Sequence, residues 1–155
     1  MGIEIERKFR VTESGWLALA TGSQRLRQAY LCNNGKLTIR VRVEDGERAT
    51  LNVKTADPAR QREEYEYVIP VTDAEGLLPL REGGIVEKVR HRVAYEGSCW
   101  EIDVFSGENE GLVVAEIELS DTQQTFKRPP WLGDEVTGDL RFYNASLAQK
   151  PFRVW

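Results

Sequence analysis

Lys36-Leu37-Thr38-Ile39-Arg40-Val41-Arg42-Val43 decides the fold class of this 155-residue chain. Polar and apolar side chains alternate through all eight positions, which is the period of a half-buried β-strand. Asn33-Asn34-Gly35 stands directly before it. These residues tolerate positive φ, so a tight hairpin leads back to a weaker strand candidate at 24–32. Working outward, the same alternation returns at 50–54 after a turn near Glu44-Asp45-Gly46, then at 64–67, 86–95, 100–104 and 114–119. The chain also opens with it, at 3–9. Eight strand candidates in a chain of this length predict a mainly β fold: a closed antiparallel barrel or a sandwich. Closure would remove the unpaired edges that invite aggregation.

Helices are predicted to be few and peripheral. Thr12 to Ala20 fits a short amphipathic helix carrying Trp16, Leu17 and Leu19. A second, capped near Thr72-Asp73, runs toward Leu80 and stops near Gly83-Gly84. Residues 121–130 are expected to be irregular around their prolines. Residues 139–149 fit a third helix, with Asp139 as N-cap and Leu140, Tyr143 and Leu147 on one side. There is no repeat, linker or low-complexity stretch, so residues 1–155 are expected to form one domain.

Bulk properties exclude several classes of function. The net charge of −4 is no electrostatic footprint of a nucleic-acid binder. No apolar run approaches the ~20 residues needed to span a bilayer. Met1-Gly2-Ile3-Glu4-Ile5-Glu6 lacks the basic-then-apolar order of a secretion signal, and Glu6 stands where a myristoylation motif needs Ser or Thr. A cytoplasmic protein is expected. Cys32 and Cys99 form no disulfide framework and have no zinc-site spacing, and Asn144-Ala145-Ser146 matches a glycosylation sequon without a secretory context.

The polar faces of the strands are segregated by sign. Glu4 and Glu6, Glu64 and Glu66, Glu116 and Glu118, and Asp103, with Glu101 on the same strand, are acidic. Arg40 and Arg42, Lys54, and Lys88 and Arg90 are basic, and Lys8 ends the first acidic strand. Residues i and i+2 share a strand face, so each acidic pair sets two carboxylates side by side, where they repel and raise each other's pKa. A solvated surface usually mixes signs for cross-strand attraction. Like-charged pairs on several strands are suited instead to lining a cavity that holds opposite charge. Clustered carboxylates are ligands for hard divalent ions such as Mg²⁺ or Mn²⁺, and clustered Arg and Lys bind phosphate oxygens. Phosphoryl transfer uses both. His91 lies on the face opposite Lys88 and Arg90 and is expected to be structural. Tyr65 and Tyr67, opposite the Glu pair, are expected to pack in the core or an outer layer. The alternation points Arg92 inward and Glu63 outward.

The ordered series resembles the CYTH superfamily, the triphosphate tunnel metalloenzymes. Glu4-Ile5-Glu6-Arg7-Lys8 resembles its E-x-E-x-K signature, Arg40-Val41-Arg42 its R-x-R strand, and Lys54 its following basic strand. Glu64-Tyr65-Glu66, Lys88-Val89-Arg90, Asp103 and Glu116-Ile117-Glu118 are similar to the remaining positions, in order along nearly the whole chain. Residues 135–139, with Arg141, Tyr143 and Asn144, are most similar to the short bacterial members, which include inorganic tripolyphosphatases. The resemblance implies a closed eight-stranded antiparallel β-barrel, an open tunnel with its charges inward and a few peripheral helices. It also implies a Mg²⁺- or Mn²⁺-dependent hydrolase cleaving a phosphoanhydride bond of a linear triphosphate, foremost inorganic tripolyphosphate. Lys8, Arg40, Arg42, Lys54, Lys88 and Arg90 would grip the substrate. Glu4, Glu6 and Glu116 would hold one metal; Glu64, Glu66, Asp103 and Glu118 a second, or the attacking water. Lys8, Lys88, Glu64 and Glu66 would stand nearest the chemistry. The same scaffold leaves open an adenylate cyclase, a thiamine triphosphatase, a nucleoside or RNA triphosphatase, or a non-catalytic polyphosphate-binding barrel. The expected partner is a small anionic triphosphate, with neither nucleic acid nor membrane, on a monomer or homodimer. The final helix is expected to close one tunnel mouth.

Overall fold

A computed structural model describes residues 5–55 and 63–155, together with the backbone of residues 2–3. Glu4, one of the expected metal ligands, lies outside the described residues. The strands are β1 (Gly2–Ile3), β2 (Glu6–Val11), β3 (Ala20–Asn33), β4 (Leu37–Glu44), β5 (Arg48–Thr55), β6 (Glu63–Ile69), β7 (Glu82–Tyr95), β8 (Ser98–Ser106), β9 (Val113–Glu118) and β10 (Leu132–Glu135). All join one antiparallel sheet in the order β1-β6-β5-β4-β3-β7-β8-β9-β2-β10.

All eight expected strands are present. The closed eight-stranded ring is not: the order is open, and among the described residues no ladder joins β1 to β10. The first expected strand is divided into β1 and β2, which serve opposite ends of the order. Gly2 and Ile3 pair with Glu64 and Glu63 of β6, whereas Glu6 to Arg10 pair with β9. β10 was not foreseen. Its Leu-Gly-Asp-Glu sequence has poor strand propensity, and it forms because it pairs with β2 and buries Leu132.

The sheet is apolar outside and charged inside. Opposite the charged positions, Phe9, Val93, Trp100, Ile102, Ala115 and Ile117 form an outer cluster with Trp16 and Trp131. Around Trp100 the rings of Phe9, Phe126 and Trp131 pack edge to face, with centroids 5.4–5.8 Å away. A second outer cluster sets Ala29, Val41, Val43 and Ala49 against Ala74 and Leu78. Ala74 belongs to α1 (Val71–Leu77), and Leu78 to the 3₁₀ turn Leu78–Leu80 that follows. The third cluster lies on the inner face, where Tyr30, Val86, Phe105 and Val114 are capped by Phe142, Leu147 and Ala148 of the C-terminal arm. That arm comprises the 3₁₀ turn Leu140–Phe142, α2 (Asn144–Gln149) and a closing turn Phe152–Val154. Gly83, at φ +68°, permits its approach, because a Cβ there would sit 2.5 Å from the Ala148 carbonyl oxygen.

The helices are shorter than the sequence predicts. Residues 12–20 give only a 3₁₀ turn, Gly15–Leu19, because Trp16 alone is buried while Leu17 and Leu19 face solvent. α1 begins after Pro70, and neither Thr72 nor Asp73 caps it. Asp139 does cap, accepting from the Arg141 N–H at 3.2 Å, but it starts a 3₁₀ turn. Tyr143 is then extended (φ −78°, ψ 140°), so α2 is restricted to six residues and Leu140 is left exposed. Residues 121–130 are irregular as expected. The His91 ring lies tilted against Trp16, with centroids 4.9 Å apart, on the face opposite Lys88 and Arg90. Tyr65 and Tyr67 face outward but are exposed rather than packed. Among the described residues no helix is long and apolar enough to cross a membrane.

Candidate functional site

Antiparallel pairing brings the inner-face charges together in rows. Across β2, β9, β8 and β7, Lys8 pairs with Glu116, Glu116 with Glu101, and Glu101 with Arg92. One row away, Glu6 stands directly opposite Glu118. The sheet thus holds two directly opposed carboxylate pairs, Glu6 with Glu118 and Glu101 with Glu116, an arrangement that is unfavourable without positive charge nearby. Across β4, β5 and β6, Arg40 pairs with Asn52 and Asn52 with Glu66, while Lys54 pairs with Glu64.

These side chains surround a cavity of about 170 Å³. Eleven of its twelve lining residues are formally charged: the cations Lys8, Arg40, Arg42, Lys54 and Arg90, and the carboxylates Glu6, Glu64, Glu66, Glu101, Glu116 and Glu118. The twelfth is Asn144. Adjoining spaces lie to either side. One, of about 290 Å³, shares Glu6, Lys8, Arg40, Lys54 and Asn144 and adds Tyr30 and Tyr143. The other, of about 300 Å³, shares Glu101, Glu116 and Glu118 and reaches Arg92 and Cys99.

Ion pairs hold the lining in place. The Lys8 ammonium lies 3.2 Å from Glu116 and 4.7 Å from the Tyr143 ring centroid. Asn52 donates to both Glu64 (3.1 Å) and Glu66 (3.0 Å), Lys54 lies 3.6 Å from Glu64, and Arg42 donates to Gln28 at 2.8 Å. Arg40 Nε is buried with no acceptor among the described residues. Burial works against the protonated form of Lys8, but Glu116 and Glu6 outweigh it and its pKa ends above normal. Burial, with Arg40 and Arg90 close by, pushes Arg42 down to about 9. Burial also opposes ionisation of Glu116, yet the Lys8 charge brings it down to about 2, so it is a carboxylate at neutral pH.

Lys88 and Asp103 were both expected to touch substrate or metal, but neither lines this cavity. They stand behind its wall. The Lys88 side chain has no exposure and donates to Asp103 at 2.6 Å and to Asn144 at 3.1 Å. Arg90 grips the same carboxylate through two bonds, at 2.8 and 2.9 Å. Both Asp103 oxygens are therefore occupied. Despite complete burial, these two cations hold the Asp103 carboxyl well below the usual range. Lys88 has only a share of one carboxylate, and burial together with Arg90 and Arg42 pushes it down to about 7.

Sequence reasoning missed Gln28 and Asn52, and gave Asn144 no role. Neutral amides carry no charge pattern; their positions in the inward alternation were the only available signal. Among the described residues no three Asp, Glu, His or Cys side chains are gathered around one point as a ready-made metal site. The donors are nonetheless all carboxylate oxygens, set in opposed pairs on one face of the sheet, which fits a hard divalent ion.

The CYTH domain family model matches residues 2–152. An inorganic triphosphatase of Acetivibrio thermocellus is 45% identical over 154 residues, covering 99% of this chain and 97% of the relative. One of Nitrosomonas europaea is 38% identical over 151 residues, covering 94% and 96%. A solved inorganic triphosphatase structure superposes with a TM-score of 0.70 at 35% identity, covering 96% of this chain and 95% of the other.

Proposed function

Because this chain belongs to the CYTH domain family, we propose that it is an inorganic triphosphatase, a divalent-metal-dependent hydrolase whose curled sheet forms the tunnel for its substrate. The observation that carries the reading is the cavity in which five cations face six carboxylates with a single neutral side chain between them. A pure anion binder would be hindered by the carboxylates, and a pure metal site by the cations. A metal–triphosphate complex has use for both.

Arg40, Arg42, Lys54, Lys8 and Arg90 bind the phosphate oxygens. The acceptor-less Arg40 Nε and the mutually crowded Arg42 and Arg90 favour an incoming anion. Glu6, Glu116 and Glu118, on the paired strands β2 and β9, would hold the metal with Glu4. Glu64 and Glu66, across the cavity, would hold a second metal or orient water. When bound, the metal neutralises charge developing on the phosphate oxygens. Asp103 acts as a positioning group that fixes Arg90 and Lys88. Lys8 stays protonated and stabilises the leaving phosphate.

Phosphate release from tripolyphosphate, ATP, thiamine triphosphate and pyrophosphate with Mg²⁺ or Mn²⁺ tests this reading, with EDTA and Glu4→Gln as controls. The expected result is fast release from tripolyphosphate, slower release from ATP, and loss of both in either control. Equal release in EDTA would overturn the metal assignment; no release from any substrate would overturn the enzyme.

A further inference from the structure

Asn144 is the one uncharged residue among the twelve around the central cavity, and it also lines the adjoining space. Its amide orientation is fixed by chemistry. The Lys88 ammonium can only donate, so the atom facing it at 3.1 Å must be Oδ1. The Nδ2 end is then turned away from Lys88, and among the described residues it finds no acceptor. The bond that anchors this amide therefore leaves its two N–H groups available at a wall otherwise built from charges.

We propose that Asn144 is a substrate-binding residue, whose Nδ2 donates to a phosphate oxygen while its Oδ1 accepts from Lys88. This rests on the triphosphatase reading and adds a contact to it. The arrangement also gives the buried Lys88 a route to the substrate. An amide whose oxygen accepts from an ammonium is polarised, and its N–H groups become stronger donors. Asn144 thus passes the attraction of a cation with no exposure into the cavity without exposing the cation itself.

The arm that carries Asn144 is built for accuracy. Phe142, two residues before, and Leu147 and Ala148 after it are buried in the inner apolar cluster. The Phe142 ring packs edge-on to Trp155 at 5.1 Å. The neighbouring Tyr143 faces Lys8. Two consecutive residues of one arm therefore meet two of the site's lysines, Lys8 and Lys88.

The test compares Asn144→Ala with Asn144→Asp by calorimetric binding of tripolyphosphate in EDTA, and by KM and kcat with metal. Thermal melts check that both variants fold. Loss of one hydrogen bond to a charged oxygen predicts roughly tenfold weaker binding for Asn144→Ala. Asn144→Asp keeps an oxygen for Lys88 but turns the donor into an anion, so it should bind more weakly still. The effect should fall mainly on KM. If Asn144 served only to hold Lys88, Asn144→Asp would match wild type and Asn144→Ala would be the weaker; that order overturns the proposal, as does Asn144→Ala binding within twofold of wild type. The binding arm needs no turnover, so a wild-type protein that binds but does not hydrolyse would refute the enzyme reading and leave Asn144 decided by its variants. A wild type that neither binds nor hydrolyses would overturn both.

Discussion

Replacing Asp103 with Asn should destabilise the protein far more than an ordinary polar substitution. The carboxylate is fully buried, accepts three charge-assisted hydrogen bonds, and neutralises Lys88 and Arg90 together. In Asp103→Asn one oxygen remains, and the new amide N–H groups face a cation. Removing one partner of a buried ion pair costs about 3–5 kcal/mol. For a domain of this size that corresponds to a fall in Tm of roughly 10–15 °C. The gap between wild type and variant should also depend on pH. Asp103 has its pKa lowered on folding, so its contribution is complete above its unfolded value of about 3.9 and is lost as pH falls toward the folded value. Lys88 is lowered from 10.5 to about 7, so wild-type stability rises with pH between those values, while its attraction to Asp103 disappears as it deprotonates. Without Asp103 the Lys88 pKa falls further still, so the variant sheds that proton first: the gap is widest at the acid end, narrows as pH rises toward about 7, and is flat above it. Urea unfolding from pH 5 to 9 measures it directly. A loss below about 1 kcal/mol at pH 6, or a gap that stays constant to pH 9, would refute the assignment of Asp103 as the counter-charge of two buried cations.

Three further predictions concern the site and its supports. Glu116→Gln should lower Mg²⁺- or Mn²⁺-dependent turnover at least 100-fold on an order-of-magnitude scale and leave Lys8 short of its partner; metal titration of the activity checks whether the metal requirement rises. Gly83→Ala should lose about 2 kcal/mol, because φ is +68° and the added carbon would meet the Ala148 carbonyl; chemical denaturation reads the loss, and tripolyphosphate affinity should weaken with it as the arm lifts. Phe142→Ala should cost roughly 3–5 kcal/mol from the inner apolar cluster, seen as a lower urea midpoint with the slope unchanged.

The alternation in the sequence carried much of this information. At Glu6, Lys8, Arg40, Arg42, Lys54, Glu64, Glu66, Arg90, Glu116 and Glu118 the two-residue period and the sign of charge were enough to place each side chain at one cavity. Lys88 and Asp103 obeyed the same period, yet stand behind the wall. Period fixes the face of a strand, whereas depth is set by partners: Arg90 and Asn144 lie between this pair and the open space. Asn144 itself depends on where the C-terminal arm docks, which is decided by Phe142 and Leu147 in three dimensions. β10 was invisible because its pairing with β2, not its own composition, makes it a strand. The 3₁₀ turn at Gly15–Leu19 was misread because two leucines that suit an amphipathic helix turned out to face solvent.

The outward-facing apolar clusters have a mechanical consequence. They grip the strands from outside, and they do so unevenly. β2, β7, β8 and β9 are held by the tryptophan cluster, and β3, β4 and β5 by α1 and the turn after it. β6 is held least: among the described residues only its Ile69 joins an apolar cluster, the rest of the strand is largely solvent-facing, and beyond Glu64 its outer edge has no ladder partner among them. Glu64 and Glu66 therefore ride on the most compliant stave of the wall, opposite carboxylates fixed on the stiffest. A charged complex entering the cavity can draw that stave inward against its bonds to Asn52 and Lys54 with little apolar packing to disrupt, adjusting the width of the site while the clasped strands keep their register.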